Sequence, residues 1–180
     1  MAAMEAGNRL TTFGVSTTGG KPMSDLPPAK KSMGQHWLSD RSALESIVEA
    51  AEVKAGDFVL EVGPGTGTLT EVLLGKDAKV LALEFDQDAI KLLTKKFAAT
   101  WDEQLNIEEG DIRKFDLHQL PSDYKIVANI PYYLTANLFR KLIDTDHKPS
   151  TAALLVQKEV AERAAAQPGK LSFVAVALQG

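Results

Sequence analysis

The chain has no cysteine among its 180 residues, which excludes disulfides, thiol nucleophiles and thiolate metal sites. Its three histidines, His36, His118 and His147, are too scattered along the sequence to suggest a ligand cluster. No metal is expected, and any catalysis must come from positioned oxygen and nitrogen groups. Long apolar runs are missing too. None approaches the ~20 residues of a membrane-spanning helix, and the N-terminus lacks the charged flank and apolar segment of a secretory signal. A cytoplasmic protein with no membrane partner is the expectation, with a monomer as the default state. Finally, there is no basic excess: 20 Lys and Arg face 24 Asp and Glu, for a net charge of -4. That balance weighs against strong nucleic-acid binding by the chain as a whole, because phosphate contacts need clustered cations.

What is present suits one soluble globular domain, with 44% hydrophobic and 24% charged residues. Residues 1–28 are rich in Gly, Thr, Ser and Pro, end in Pro27-Pro28 and follow neither helical nor strand periodicity. They are expected to form a disordered leader or tag-like segment, leaving 29–180 as the domain. From Asp40 the pattern turns helical, with Leu44, Ile47, Val48 and Ala51 on one face and Ser39 or Asp40 placed to cap it. Strands are then expected at 57–62, 79–84, 104–109, 124–128, 151–157 and 171–178. Helical patterns separate them at 66–75, 86–98, 113–119, 134–144 and 158–166. This alternation predicts an α/β fold with a doubly wound, mostly parallel sheet. Such sheets bind ligands beyond the carboxyl ends of their strands, near the switch point. The chain stops at Gly180, directly after the last expected strand, as a truncated domain would.

Two strand ends carry unusual loops. After Phe58-Val59-Leu60 comes Glu61-Val62-Gly63-Pro64-Gly65-Thr66-Gly67, a glycine-rich turn that lets the backbone approach a ligand closely. Gly63, Gly65 and Gly67 are spaced G-x-G-x-G, whereas the dinucleotide fingerprint wants its third small residue where Thr68 stands. Glu61 suits the ammonium end of an amino-acid-bearing ligand better than a pyrophosphate. S-adenosylmethionine is therefore favoured over NAD. Glu84, about 20 residues past the turn, could accept hydrogen bonds from both ribose hydroxyls; the alternative is a solvated surface charge. Asp111 could take an adenine amino group with Ile112 against the ring, or simply cap the short helical piece that follows.

The second loop is Asn129-Ile130-Pro131-Tyr132, after Ile126-Val127-Ala128. An exocyclic aromatic amine is a poor nucleophile because its lone pair is delocalised into the ring. Acceptors aimed at its hydrogens help, and the Asn129 side chain and Ile130 backbone carbonyl can supply two. Pro131 would stiffen the loop and Tyr132 would stack on the base. The alternative is an ordinary turn with Asn and Pro as breakers and Tyr as a core aromatic.

Several motifs in order resemble one family. They are Gly34-Gln35-His36-Trp37-Leu38-Ser39-Asp40, the Gly63 loop, Glu84, Gly110-Asp111, Asn129-Ile130-Pro131-Tyr132 and Gln157-Lys158-Glu159-Val160-Ala161-Glu162-Arg163. From about Lys31 to Gln179 the chain resembles the KsgA-like ribosomal RNA adenine dimethyltransferases. The resemblance implies a Rossmann-like class I methyltransferase fold, with S-adenosylmethionine held by His36, Leu38, Gly63, Glu84, Asp111 and Asn129 under a lid containing Gln35. Gly65 belongs to the same cofactor loop. It implies transfer of two methyl groups to each of two adjacent adenosines near the 3′ end of small-subunit rRNA, the base being flipped into the pocket. Lys158 and Arg163 would approach the RNA, in the setting of a pre-30S particle and ribosome biogenesis.

Trp37 departs from the usual Phe, and the 166–172 turn is shorter than the family's. The family's later aromatic-and-proline loop and its small helical C-terminal domain have no counterpart before Gly180. Three other readings stay open. One is the macrolide-resistance type acting on 23S rRNA, against which Asp40 and Thr66 lean. Another is a non-catalytic RNA-binding or transcription factor, against which the intact Asn129 tetrad and Glu84 argue. The third is a small-molecule methyltransferase using the same cofactor.

Overall fold

Seven strands run parallel in one sheet ordered β1-β7-β6-β5-β2-β3-β4 in the computed structural model, which describes residues 13–15, 41–99, 103–130, 132–157 and 173–178. They are β1 (Phe13–Val15), β2 (Phe58–Val62), β3 (Lys79–Glu84), β4 (Leu105–Glu109), β5 (Lys125–Asn129), β6 (Thr151–Gln157) and β7 (Phe173–Leu178). The chain builds outward from β2 to β4, returns across the sheet to β5, and builds outward again to β7. The switch point therefore lies between β2 and β5.

Strand side chains alternate between two cores, as the period of two requires. Val59, Val80, Ala82 and Val127 face one cluster; Leu60, Leu81, Leu83 and Ile126 face the other. The first cluster is covered by three helices: α1 (Arg41–Ala50), α2 (Thr68–Leu74) and α3 (Gln87–Lys96). Leu44, Ile47, Leu73 and Leu93 are their buried contributions. The second is covered by α4 (Tyr132–Asp144) through Leu138 and Leu142, and by Phe115 and Leu117 of the preceding segment. With both faces covered, the strands read as nearly continuous apolar runs, which is why their positions were legible. Asp86 caps α3 by accepting from the Asp88 N–H at 2.8 Å, while Lys95 and Lys96 close its last turn.

Three expectations need correction. The 1–28 segment, read as lacking a strand, contributes β1, which pairs with β7 from Phe13↔Val176 to Val15↔Leu178. Three residues are too few to show a period, so only the waiting sheet edge defines them. The helical piece at 113–119 narrows to a 3-10 turn at Leu117–Gln119, capped by Asp116. Finally, α4 starts at Tyr132 rather than 134, so Tyr132 belongs to the helix as well as to the tetrad. The expected helix at 158–166 and the caps Ser39 and Asp40 lie outside the described residues. Among the described residues, no helix is long and apolar enough to cross a membrane.

Candidate active site

Sheet register sets the site. Val62 pairs with Leu83, so Gly63 stands level with Glu84, and the Gly63 N–H donates to the Leu83 carbonyl at 2.9 Å. Glu84 pairs with Glu109, and the Gly110 N–H donates to the Glu84 carbonyl at 2.8 Å. On the other side Glu61 pairs with Val127, which puts Asn129 two steps further on at the level of Gly63. One rim, across β4-β3-β2-β5, thus carries Gly63, Glu84, the Gly110-Asp111 turn and Asn129.

The glycine loop needs its glycines for two different reasons. Gly63, Gly65 and Gly67 have φ of 68°, 56° and 76°, a left-handed backbone that side chains disfavour. At Gly63 an added Cβ would meet nothing within 4 Å, so the backbone there borders open space that a ligand could fill. At Gly67 the same atom would lie 2.6 Å from the Phe97 ring and 2.8 Å from Leu93, so this glycine lets the loop close onto α3. Lys96 ties the two together by donating to the Thr66 carbonyl at 2.9 Å and pairing with Glu71 at 3.0 Å.

Two carboxylates of the same strand parity lie beneath that loop in different states. Glu84, buried at 7% exposure, accepts from the Gly65 N–H at 3.1 Å on one oxygen. Its other oxygen accepts from the Phe85 and Asp86 N–H groups at 2.8 and 2.9 Å. The surface-charge alternative for Glu84 is thereby excluded. Glu61 is fully buried and accepts one bond, from the Thr70 hydroxyl at 2.7 Å, while its Oε1 has no partner. Burial pushes its carboxyl up to about 8, with the Glu84 charge adding to the shift and the Thr70 bond opposing it.

Asp111 lies at the end of β4 as expected, but with a partner that sequence reasoning missed. Its carboxylate accepts from the Arg113 N–H at 2.9 Å and from the Arg113 guanidinium through both oxygens. These bonds hold its carboxyl below the usual carboxylate range, despite partial burial. Asp111 thus closes a turn onto Arg113, while the 3-10 helix that follows is capped by Asp116. Ile112 and Ile130 are buried at 3% and 7%, in the core that α4 covers. Asn129 is half-buried at the rim. Gln35, His36, Leu38, Pro131, Lys158 and Arg163 lie outside the described residues, and Tyr132 is placed as the first residue of α4. Sequence reasoning also passed over Phe85, which follows Glu84 and is 66% exposed. Its exposure belongs to the fold; in the sequence the available signal was only a Phe directly after the glutamate that ends β3.

Residues 28–179 match the family model described as ribosomal RNA adenine dimethylase. The chain belongs to that family. Among curated relatives, it is 42% identical over 159 residues to the ribosomal RNA small subunit methyltransferase A of Synechococcus sp. (strain CC9902), covering 84% of this chain and 57% of the relative. The counterpart in Dehalococcoides mccartyi is 37% identical over 154 residues, covering 84% and 52%. The chain thus spans about half the length of the curated relatives it matches.

Solved structures agree. A dimethyladenosine transferase from Plasmodium falciparum superposes with a TM-score of 0.63 at 36% identity, covering 73% of this chain and 47% of that one. The 23S rRNA methyltransferase ErmE gives 0.55 at 26%, covering 63% and 45%. This adenine dimethylase family membership accords with the Rossmann-like α/β fold: a Thermotoga maritima SAM-dependent O-methyltransferase shares the fold at a TM-score of 0.56 and 20% identity, over 74% of this chain and 50% of that one.

Proposed function

We propose that this chain forms the catalytic part of an S-adenosylmethionine-dependent rRNA adenine N6-dimethyltransferase. Its substrate is a pair of adjacent adenosines near the 3′ end of small-subunit (16S) rRNA, modified in the cytoplasm during ribosome biogenesis by a protein acting as a monomer. The supporting observation is the register that brings Gly63, Glu84, Glu109 and Asn129 to one level at the ends of four adjacent strands, with the Gly110-Asp111 turn directly after it. A donor pocket and an acceptor slot then share a rim.

The residues fit the cofactor. The backbone at Gly63 borders open space, and Glu61 keeps one buried oxygen without a partner, suited to an ammonium group. Glu84 takes the ribose hydroxyls, Phe85 offers a ring to the adenine, and Asp111 and Ile112 serve its edge and face. Gln35, His36 and Leu38 complete the cofactor side. Bound S-adenosylmethionine supplies an electrophilic methyl group on a sulfonium. The chain's own contribution is positional: Asn129 and the Ile130 carbonyl accept from the target amine, while Tyr132 stacks on the flipped base and Pro131 stiffens the turn. Lys158 and Arg163 approach the RNA.

A 23S target is less favoured. Relatives named for the small subunit reach 42% identity, against 26% for ErmE. The test is calorimetric binding of S-adenosylmethionine, followed by methyl transfer to unmethylated 30S particles or to 23S rRNA. Absence of cofactor binding would overturn the reading, and transfer to 23S rRNA alone would move it to the macrolide-resistance type.

A further inference from the structure

Away from the rim, the described residues line a groove of about 590 Å³ between the 113–118 segment and α4. In a chain of net charge -4 its lining is locally basic: Arg113, Lys114, Arg140 and Lys141, against Asp116 and Asp144. Part of this charge is already committed. Arg113 is paired with Asp111, and Asp116 with His118, itself held at 2.7 Å by Asp146 beyond α4. Over the lining as a whole, the four cations Arg113, Lys114, Arg140 and Lys141 face two carboxylates, Asp116 and Asp144, and Lys141 also donates to the Arg113 carbonyl at 3.5 Å. An anion is the ligand that such a lining attracts.

The groove also starts at the right place. Arg113 follows Asp111 of the rim by two residues, and Arg140 lies eight residues into the helix that begins at Tyr132, or about 12 Å along its axis. A strand whose base is drawn into the acceptor slot would have this flank within reach of its backbone, since the slot and the groove share α4. We propose that the groove between the 113–118 segment and α4 binds the sugar-phosphate backbone of the RNA strand that presents the acceptor adenosine. This rests on the adenine-methylating reading above and adds a site to it.

The test uses the full chain and a fluorescein-labelled 20-nucleotide RNA hairpin with two adjacent adenosines in its loop, followed by anisotropy across a salt series. A triple variant, Lys114→Gln, Arg140→Gln and Lys141→Gln, is expected to bind at least about tenfold more weakly at low salt. Its log-log salt slope should be shallower by about 2 to 3, since each lost phosphate contact removes nearly one unit. A control triple on exposed residues of α3 and the turn after α2, Lys76→Gln, Lys91→Gln and Lys95→Gln, should leave the slope unchanged. S-adenosylhomocysteine titrated by calorimetry should bind the groove variant as it binds the wild type, which separates the two readings. Loss of cofactor binding by the wild type defeats the proposed function; normal cofactor binding with an unaltered RNA slope in the groove variant defeats the groove. Equal losses in both triples, no RNA binding by the wild type at low salt, or equal competition by a poly-glutamate peptide would also overturn it, the last by assigning the groove to an acidic protein.

Discussion

On the proposed function, the donor side and the acceptor side of the rim are built by different means. On the donor side the polar groups are tied to one another: Gly65, Phe85 and Asp86 all donate to Glu84, and Gly63 and Gly110 donate to β3 carbonyls. On the acceptor side Asn129 is placed by the β5 register, at the end of a strand paired through Asn129↔Leu155. A cofactor that is bound in every turnover gains from a pocket formed beforehand, because little ordering remains to oppose binding. On the proposed reading, a base that arrives by flipping out of RNA meets a rim set by the end of β5 and the start of α4.

Substitutions can break this contrast, and the largest effect is expected at the loop's packing point. Gly67→Val combines a φ of 76° with an atom 2.6 Å from Phe97, and should cost about 2 to 4 kcal/mol, read as a lowered urea midpoint. Unchanged stability would mean that α3 yields and the donor side is not preformed. Asn129→Ala should leave the melting curve nearly intact yet slow methyl transfer about a hundredfold, by analogy with deleting one positioned hydrogen-bonding group of an oxyanion hole. Full turnover in that variant would remove Asn129 from the acceptor side. Glu84→Ala should weaken S-adenosylmethionine binding by about 1 to 3 kcal/mol, with some loss of stability because three N–H groups lose their acceptor. Equal affinity by calorimetry would detach Glu84 from the ribose.

The buried acid gives a gentler test. Glu61 rises from an ordinary 4.5 to about 8 in the folded chain, so between those values the folded state holds a proton that the unfolded state has released. Stability must then fall as pH climbs from about 4.5 to about 8, by at most ~1.4 kcal/mol per pH unit, and Glu61→Gln should flatten this slope. An identical pH profile in the variant would show the acid to be charged and solvated. The smallest effect belongs to His118, whose bonds to Asp116 and Asp146 raise its affinity for a proton. Its contribution is complete below the ordinary 6.5 and fades as pH passes the raised value. His118→Ala should lower the melting temperature slightly at pH 5 and not at pH 9.

Much of this was legible in the sequence. The strands at β2, β3, β5 and β6 announced themselves because a doubly covered sheet needs unbroken apolar runs, and their ends carried the glycine loop and the Asn129 tetrad. The parity rule did not foretell β1, whose three residues have meaning only beside β7. Nor did charge counting over the chain reveal the basic flank, since Lys114 and Arg140 are 26 positions apart in sequence and meet only when α4 packs back along the 113–118 segment. Arg113 was likewise unremarkable until the turn after β4 folded its guanidinium onto Asp111.

By itself the sequence determined the order of strands and helices, the loops that interrupt them and the kinds of groups those loops offer, because periodicity and turn chemistry are local. Tertiary structure alone decided which of those groups share a level, which carboxylate is stripped of water and which remains bonded, and where unpaired charge collects. Those properties depend on pairing register and burial. Both are relations between segments far apart in the chain.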